Sequence, residues 1–390
     1  MNHHNSKPSL IYQIVIILLL LSIASYTVDV MDGMLSNLEY GSAHFSFLRP
    51  LKMLFVPIAF LLVLREYKHI TITKPLSSFT WLCLFSTLVT AFFRGVNSTS
   101  LFASIWIPYL MYCFGQIYGK KCEYEKLFSY LFIGLFAVVL FFYLTSSSVI
   151  YSTIDAHLNI VYVPLLCMLL LFFSKNKYIN MSAYLIMAGV LLGSGKRAGI
   201  VALAAAFFLH YIYSMQEGTG KKQLISLAFV FFAITFIFQE QILGFIDNNR
   251  TLNRFSNDSS SDISSGRIEI YEKTLSMYFH SSFFQTLVGH GFGAVAIKSP
   301  LQMSAHNDFL EVLYDYGIVG FILYLSFHVR IVKELLMAYR KKIDDRYILL
   351  FIYVCFFTLS MVSQMYNYPY FYILTLAIGY FEGKYLCRKN

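Results

Sequence analysis

The sequence predicts an all-α integral membrane protein with about twelve transmembrane helices and one large outer loop between spans nine and ten. Three observations carry this. Of the 390 residues, 57% are hydrophobic and only 13% are charged, against roughly 25% charged in an ordinary soluble protein. Apolar runs approaching the ~20 residues a spanning helix needs recur along the chain. Lys and Arg gather in alternate connections, the asymmetry that orients helices in a bilayer.

The runs fall at about 10–28, 48–64, 76–93, 101–119, 127–145, 157–174, 178–194, 198–214, 223–240, 308–328, 347–364 and 368–386. The first contains Ser22-Ile23-Ala24, a small-x-small cleavage pattern. Its apolar stretch continues beyond that point, so it reads as a retained span. The chain is expected to form one integral membrane domain over 1–390, with the loop at 241–307.

With the N-terminus in the cytoplasm, 20 of the 30 Lys and Arg fall on the inner side, including the six between Arg330 and Arg346. Both termini are then cytoplasmic. The net charge of +9 therefore reads as a topology signal. No basic stripe with interleaved aromatics points to nucleic acid. All six cysteines lie in spans or on the inner side, none with metal-ligand spacing, so no outer disulfide and no metal site is expected. The spans from 76 to 239 carry no Asp, Glu, Lys or Arg in their interiors, apart from the Lys196–Arg197 turn, and the charged candidates cluster at one outer rim. That pattern favours a surface-facing site over the midplane site of a transporter.

The outer loop opens with "GFIDNNRTLNRF", passes through the polar "SNDSSSDISS" and reaches "GRIEIYEKTLSMYFHSSF". In the last piece Ile268, Tyr271, Leu275 and Tyr278 recur at helical spacing, which predicts an amphipathic helix beginning at Arg267. A helix N-terminus favours anions, and an Arg there adds a planar fork of donors matched to phosphate. Read alone, it is better taken as a surface arginine. "GSGKRAG", 193–199, sets Lys196 and Arg197 in a tight outer turn, either an anion clamp or a hairpin meeting lipid headgroups. It is not a Walker A motif, because Arg197 stands where that motif needs Ser or Thr. "GHGFG", 289–293, is a glycine-rich turn that gives His290 no role beyond shaping the loop. In "SAHNDFLEVLYDYG" a lone His306 sits at the mouth of span ten. Asn307 or Asp308 is the expected N-cap, with Glu311 completing a capping box from Asp308. Asn307, Glu311 and Asp315 share a helical face, and carboxylates there need water or partners.

Taken together and in this order, "GSGKRAG", "SGRIEIYEKTL", "GHGFG" and "SAHNDFLEVLYDYGIVGFILYL" resemble the bacterial O-antigen ligase and polymerase superfamily. The motifs cover about 190–325, and the hydropathy extends the likeness to the whole chain. The resemblance implies a C-type glycosyltransferase-like membrane fold in the bacterial inner membrane. It implies a metal-independent enzyme without cofactors, working at the periplasmic face. The donor would be an undecaprenyl-diphosphate-linked glycan. The acceptor would be a lipid-linked repeat unit or the lipid A core, and a chain-length regulator is a further expected partner. Arg197 and Arg267 match the family's diphosphate-binding arginines, and His306 matches its essential histidine. Lys196 is a variant within its turn. Lys196, Asn307 and Glu311 are expected to line or support the substrate site.

The chemistry fits. Glycosyl transfer from a diphosphate creates a charged leaving group that two arginines can stabilise. The acceptor hydroxyl must lose a proton, a task suited to an imidazole with an ordinary pKa near ~6.5. Attack from the opposite face inverts the anomeric centre. The motif wording leans toward a repeat-unit polymerase. A ligase to lipid A core is the alternative, and a polysaccharide flippase or transporter is a third reading.

Overall fold

The computed structural model describes residues 48–95, 99–120, 177–193, 197–216, 267–300, 303–343, 346–366 and 369–386, with 14, 17–22, 137, 140, 162 and 165. The expected span at 223–240, most of those at 10–28, 127–145 and 157–174, the loop before Arg267, and Lys196 lie outside the described residues. Among the described residues every regular element is helical. In chain order these are α1 Leu48–Arg65, α2 Lys74–Arg94, α3 Thr99–Lys120, α4 Lys177–Gly193 and α5 Arg197–Gln216. They continue as α6 Arg267–Phe279, α7 Phe283–Val288, α8 Ala294–Lys298, α9 Asp308–Arg340, α10 Arg346–Ser360 and α11 Pro369–Phe381.

Two of these, α2 and α9, are long and apolar enough to cross a membrane; Arg346–Ser360 and Ala198–Leu209 are shorter apolar helices. On α9 an exposed apolar stripe runs through Ile318, Ile322, Val329, Val332 and Leu336. At 1.5 Å per residue that stripe is about 27 Å long, close to the ~30 Å of a bilayer's hydrocarbon core. Trp81, Leu88 and Phe92 make a similar exposed face on α2.

The helices run between two ends of one bundle. At one end Arg94, closing α2, donates to the carbonyl of Phe292 (Nη2 3.2 Å), and the start of α9 is bonded to the 361–366 loop after α10. At the other end Arg330 of α9 donates to the carbonyl of Lys74 at the start of α2 (2.6 Å). There Lys120, closing α3, donates to Thr71 (2.7 Å). The tightest packing is α3 on α11. Gly115 and Gly119 face Gly379 and Gly383, and a Cβ on any of the four would run into the opposing backbone. This is the small-residue approach that membrane helices use when apolar burial gives no net drive.

Several expectations need correction. Span ten does not end near 328. The helix continues to Arg340, so Arg330, Lys333 and Arg340 are helical rather than loop residues. Nor is it continuous: Gly317 has φ 63 and ψ −168, a conformation confined to glycine. In α6 the buried face is Ile270, Thr274 and Tyr278, while Ile268 is exposed. Burying Thr274 is inexpensive because its hydroxyl donates to the Ile270 carbonyl (2.8 Å). Ionisable groups are not confined to one rim either. Glu382, wholly buried at the Lys120 end, accepts from Tyr112 Oη (2.6 Å), Gln116 Nε2 (2.6 Å) and Thr73 Oγ1 (3.0 Å).

Candidate functional site

His306 occupies a corner. The chain arrives non-helical through 303–305 and leaves as α9, and His306 turns it with φ 50. Non-glycine residues are uncommon in this region, although His tolerates it better than most. Such a conformation persists only when neighbours over-determine it, and here they do. Ala305 N–H donates to Glu311 Oε2 (2.7 Å) just before the corner. Just after it, Asn307 Oδ1 accepts from Phe309 N (2.9 Å) and Leu310 N (3.2 Å), satisfying two free amides of the first turn. The His306 carbonyl accepts from Tyr271 Oη (3.4 Å). The N-cap is thus Asn307. Glu311 does not form the expected box from Asp308 but reaches back to Ala305.

The three carboxylates at the head of α9 are buried rather than wet, and they fasten the 361–366 loop, Ala305 and the 293–295 turn. Asp308 Oδ1 accepts from the amides of Met365 (2.6 Å) and Tyr366 (3.0 Å). Glu311 Oε1 accepts from Gln364 Nε2 (3.0 Å). Asp315 takes the amides of Gly293 (2.6 Å), Ala294 (2.8 Å) and Val295 (3.2 Å). Hydrogen-bonded amides are what make an unpaired carboxylate tolerable out of water. The 361–366 loop is held further by Asn307 Nδ2 (3.0 Å) and Tyr271 Oη (3.1 Å), both donating to the Met361 carbonyl.

The glycine turn completes the frame. The break at Gly317 withdraws helical partners from the carbonyls of Tyr314 and Asp315. The Asp315 carbonyl is taken by the amides of His290 (2.9 Å) and Gly291 (2.8 Å), and that of Tyr314 by His290 Nδ1 (3.1 Å). A carbonyl only accepts, so Nδ1 carries the proton. The His290 ring stacks on Tyr314 at 4.2 Å, and its Nε2 lies 3.2 Å from Ser281 Oγ. Burial pushes the His290 pKa down and the charge of Lys298 adds to this, against the opposing bond to Tyr314. Burial likewise lowers Lys298, as does neighbouring Arg94, with Asp315 opposing.

Arg267 opens α6 and is half-buried. Tyr271, on the next turn of the same helix, bonds the His306 carbonyl. The Tyr162 ring lies against Gly199, where an added Cβ would meet it at 3.2 Å. Gly199 is two residues into α5, which begins at Arg197. Tyr162 therefore sits beside the start of α5, and Tyr271, one turn along α6 from Arg267, bonds the His306 carbonyl. Lys196 lies outside the described residues. Tyr162 and the 361–366 loop carry no motif, and their place here is a result of packing. Tyr271 had a signal in its i, i+4 spacing from Arg267.

No curated protein matches the chain. Residues 182–325, which run from α4 across the start of α5, Arg267 and His306 into α9, match the family model described as O-Antigen ligase, so the resemblance to the O-antigen ligase and polymerase superfamily is shown over that stretch.

Proposed function

We propose that this chain is a membrane glycosyltransferase that polymerises undecaprenyl-diphosphate-linked repeat units at the periplasmic face of the inner membrane. The observation that supports the reading is the His306 corner, a half-buried histidine on a constrained left-handed backbone whose carbonyl accepts from Tyr271, one helical turn along α6 from Arg267. Strain of this kind is kept where position matters.

In the proposed reaction an acceptor hydroxyl oxygen attacks the anomeric carbon of the donor. The bond between that carbon and the diphosphate oxygen breaks, and the configuration inverts. His306 takes the hydroxyl proton as the new glycosidic bond forms. The electron pair departs with polyprenyl diphosphate, whose charge is met by Arg197 and Arg267. Lys196 would add charge beside Arg197. Glu311 and Asn307 do not touch the reacting atoms in this scheme. They hold the backbone on either side of His306, and that is why a substrate-side role for them is indirect.

The description of the matching family, O-Antigen ligase, favours a second reading, in which the acceptor is lipid A core rather than another repeat unit. The glycan profile of a deletion strain separates the two. A single repeat unit on the core is the polymerase result. Free lipid-linked polymer with a bare core is the ligase result. Complementation with His306→Ala should leave either defect in place at normal membrane abundance, because loss of a general base typically costs about 10²–10⁴-fold. Restoration of wild-type glycan by that variant would overturn the transferase mechanism.

A further inference from the structure

The end of α9 opposite His306 holds a cavity of about 450 Å³. Its described lining is Lys333, Leu336, Met337, Arg340 and Lys341. It stands where the exposed stripe from Ile318 to Leu336 runs out, at the level where hydrocarbon gives way to headgroups if that stripe spans the acyl region. Two other cations nearby are committed to the fold. Arg330 donates to the Lys74 carbonyl, and Arg346 donates to the Ile343 carbonyl (2.8 Å) while lying 5.9 Å from the Tyr339 ring. Lys333, Arg340 and Lys341 make no ion pair with any described carboxylate. Lys333 is one turn above the last apolar residues of the stripe, so its ammonium must reach along the helix toward Arg340 and Lys341 to leave hydrocarbon. Lys333, Arg340 and Lys341 thus line one surface hollow together with Leu336 and Met337.

We infer that this hollow binds an anionic glycerophospholipid of the adjoining leaflet, its phosphate between Lys333, Arg340 and Lys341 and its acyl ends against Leu336 and Met337. Both halves of the site matter. The cations ask for an anion, and the apolar floor, continuous with the lipid-facing stripe, asks for one that carries chains. Basic pockets beside membrane helices bind anionic headgroups on this principle. The inference is independent of which glycan is transferred, and of whether any is.

The test uses the full chain in mild detergent, with phosphatidylglycerol as probe and phosphatidylcholine and inorganic phosphate as comparisons. Native mass spectrometry reads lipid retention, and thermal unfolding reads stabilisation. Wild type should retain phosphatidylglycerol and unfold at a higher temperature with it, while neither comparison has this effect. In Lys333→Gln/Arg340→Gln/Lys341→Gln, affinity should fall about fivefold for each charge removed, with unfolding in phosphatidylcholine unchanged. Should that variant fail to fold, wild type alone still decides, since phosphatidylglycerol retention must drop at high salt. Equal retention of phosphatidylcholine, salt-insensitive retention, or undiminished binding by a folded triple variant would overturn the proposal. Equal stabilisation by inorganic phosphate would reduce the site to a simple anion site and overturn it too.

Discussion

At the scale of single residues, the head of α9 is a set of side chains that position other groups. Glu311 accepts two hydrogen bonds, from Ala305 N and Gln364 Nε2. A Gln in its place would present one carbonyl oxygen to those two donors, and Ala would satisfy neither. Leaving a buried donor unsatisfied costs about 1–3 kcal/mol. Glu311→Ala should therefore lower both turnover and thermal stability, Glu311→Gln should lower them less, and donor KM should move little in either. Equal loss in the two variants would point away from positioning and toward a need for the charge. The arginines make a different demand. If Arg197 and Arg267 meet the diphosphate through their planar forks, lysine at either position should cut transfer sharply while the protein still inserts. Near-normal glycan chains from both variants would return them to ordinary surface charges. His290 gives a pH signature. Its pKa is lowered in the fold chiefly by burial. Below the unfolded value of ~6.5 the unfolded chain binds a proton that the native state resists. Its contribution is thus full above that pH and is lost as pH falls toward the lowered native value. Unfolding temperature measured across this range should decline on the acid side, and His290→Gln should remove that component of the decline.

At the scale of elements, two glycine contacts set the site's frame. Gly289 (φ 88, ψ −162) closes α7, and Gly317 (φ 63, ψ −168) breaks α9. They lie back to back: a Cβ on Gly317 would meet the Leu287 carbonyl, and one on Gly289 would meet the Asp315 carbonyl. Backbone in this region costs about 1–3 kcal/mol for a residue with a Cβ, before any clash. Gly317→Ala should lower the unfolding temperature and also reduce transfer, because the His290–Asp315 bonds that hold the turn depend on the break. A variant as stable and active as wild type would show that α9 can run straight through this point. The α3–α11 contact is also close, but it sits at the Glu382 end. Gly379→Ala should destabilise by about 1–3 kcal/mol through overpacking without a separate effect on turnover in the protein that remains folded.

At the scale of the whole molecule, the described helices alternate between an end that gathers Arg94, the 289–295 turn, His306 and the 361–366 loop, and an end that gathers Lys74, Lys120, Arg330 and Glu382. The distribution of Lys and Arg implies which end faces the cytoplasm. Single cysteines at Ser259 and Lys341 should react with an impermeant reagent from opposite sides of the membrane, Ser259 from outside. The native Cys83, Cys113 and Cys355 are buried and should contribute little background. Labelling of both introduced sites from one side would reject the twelve-span arrangement.

The sequence by itself determined that the described chain is helical and apolar, where several helices begin and end, and that the stretch from about 190 to 325 carries motifs resembling the superfamily's, which the family match over 182–325 supports. Those properties are local: hydropathy over ~20 residues, an Asn before an apolar run, glycine spacing, and an Arg four residues ahead of a Tyr. Only the tertiary structure decided what the buried carboxylates do, because their partners are distant in the chain. Asp308 holds Met365 and Tyr366, Glu311 holds Gln364, and Glu382 is held by Tyr112 and Gln116. It also decided the break at Gly317, since a left-handed glycine inside an apolar run has the same hydropathy as a helical one. The same holds for the bond from Tyr271, one turn along α6 from Arg267, to the His306 carbonyl, and for the Tyr162 ring against Gly199. No pattern in one dimension encodes which loop a carboxylate will tie down. That depends on which backbone amides the packed helices leave without partners, and those are defined only once the helices have met.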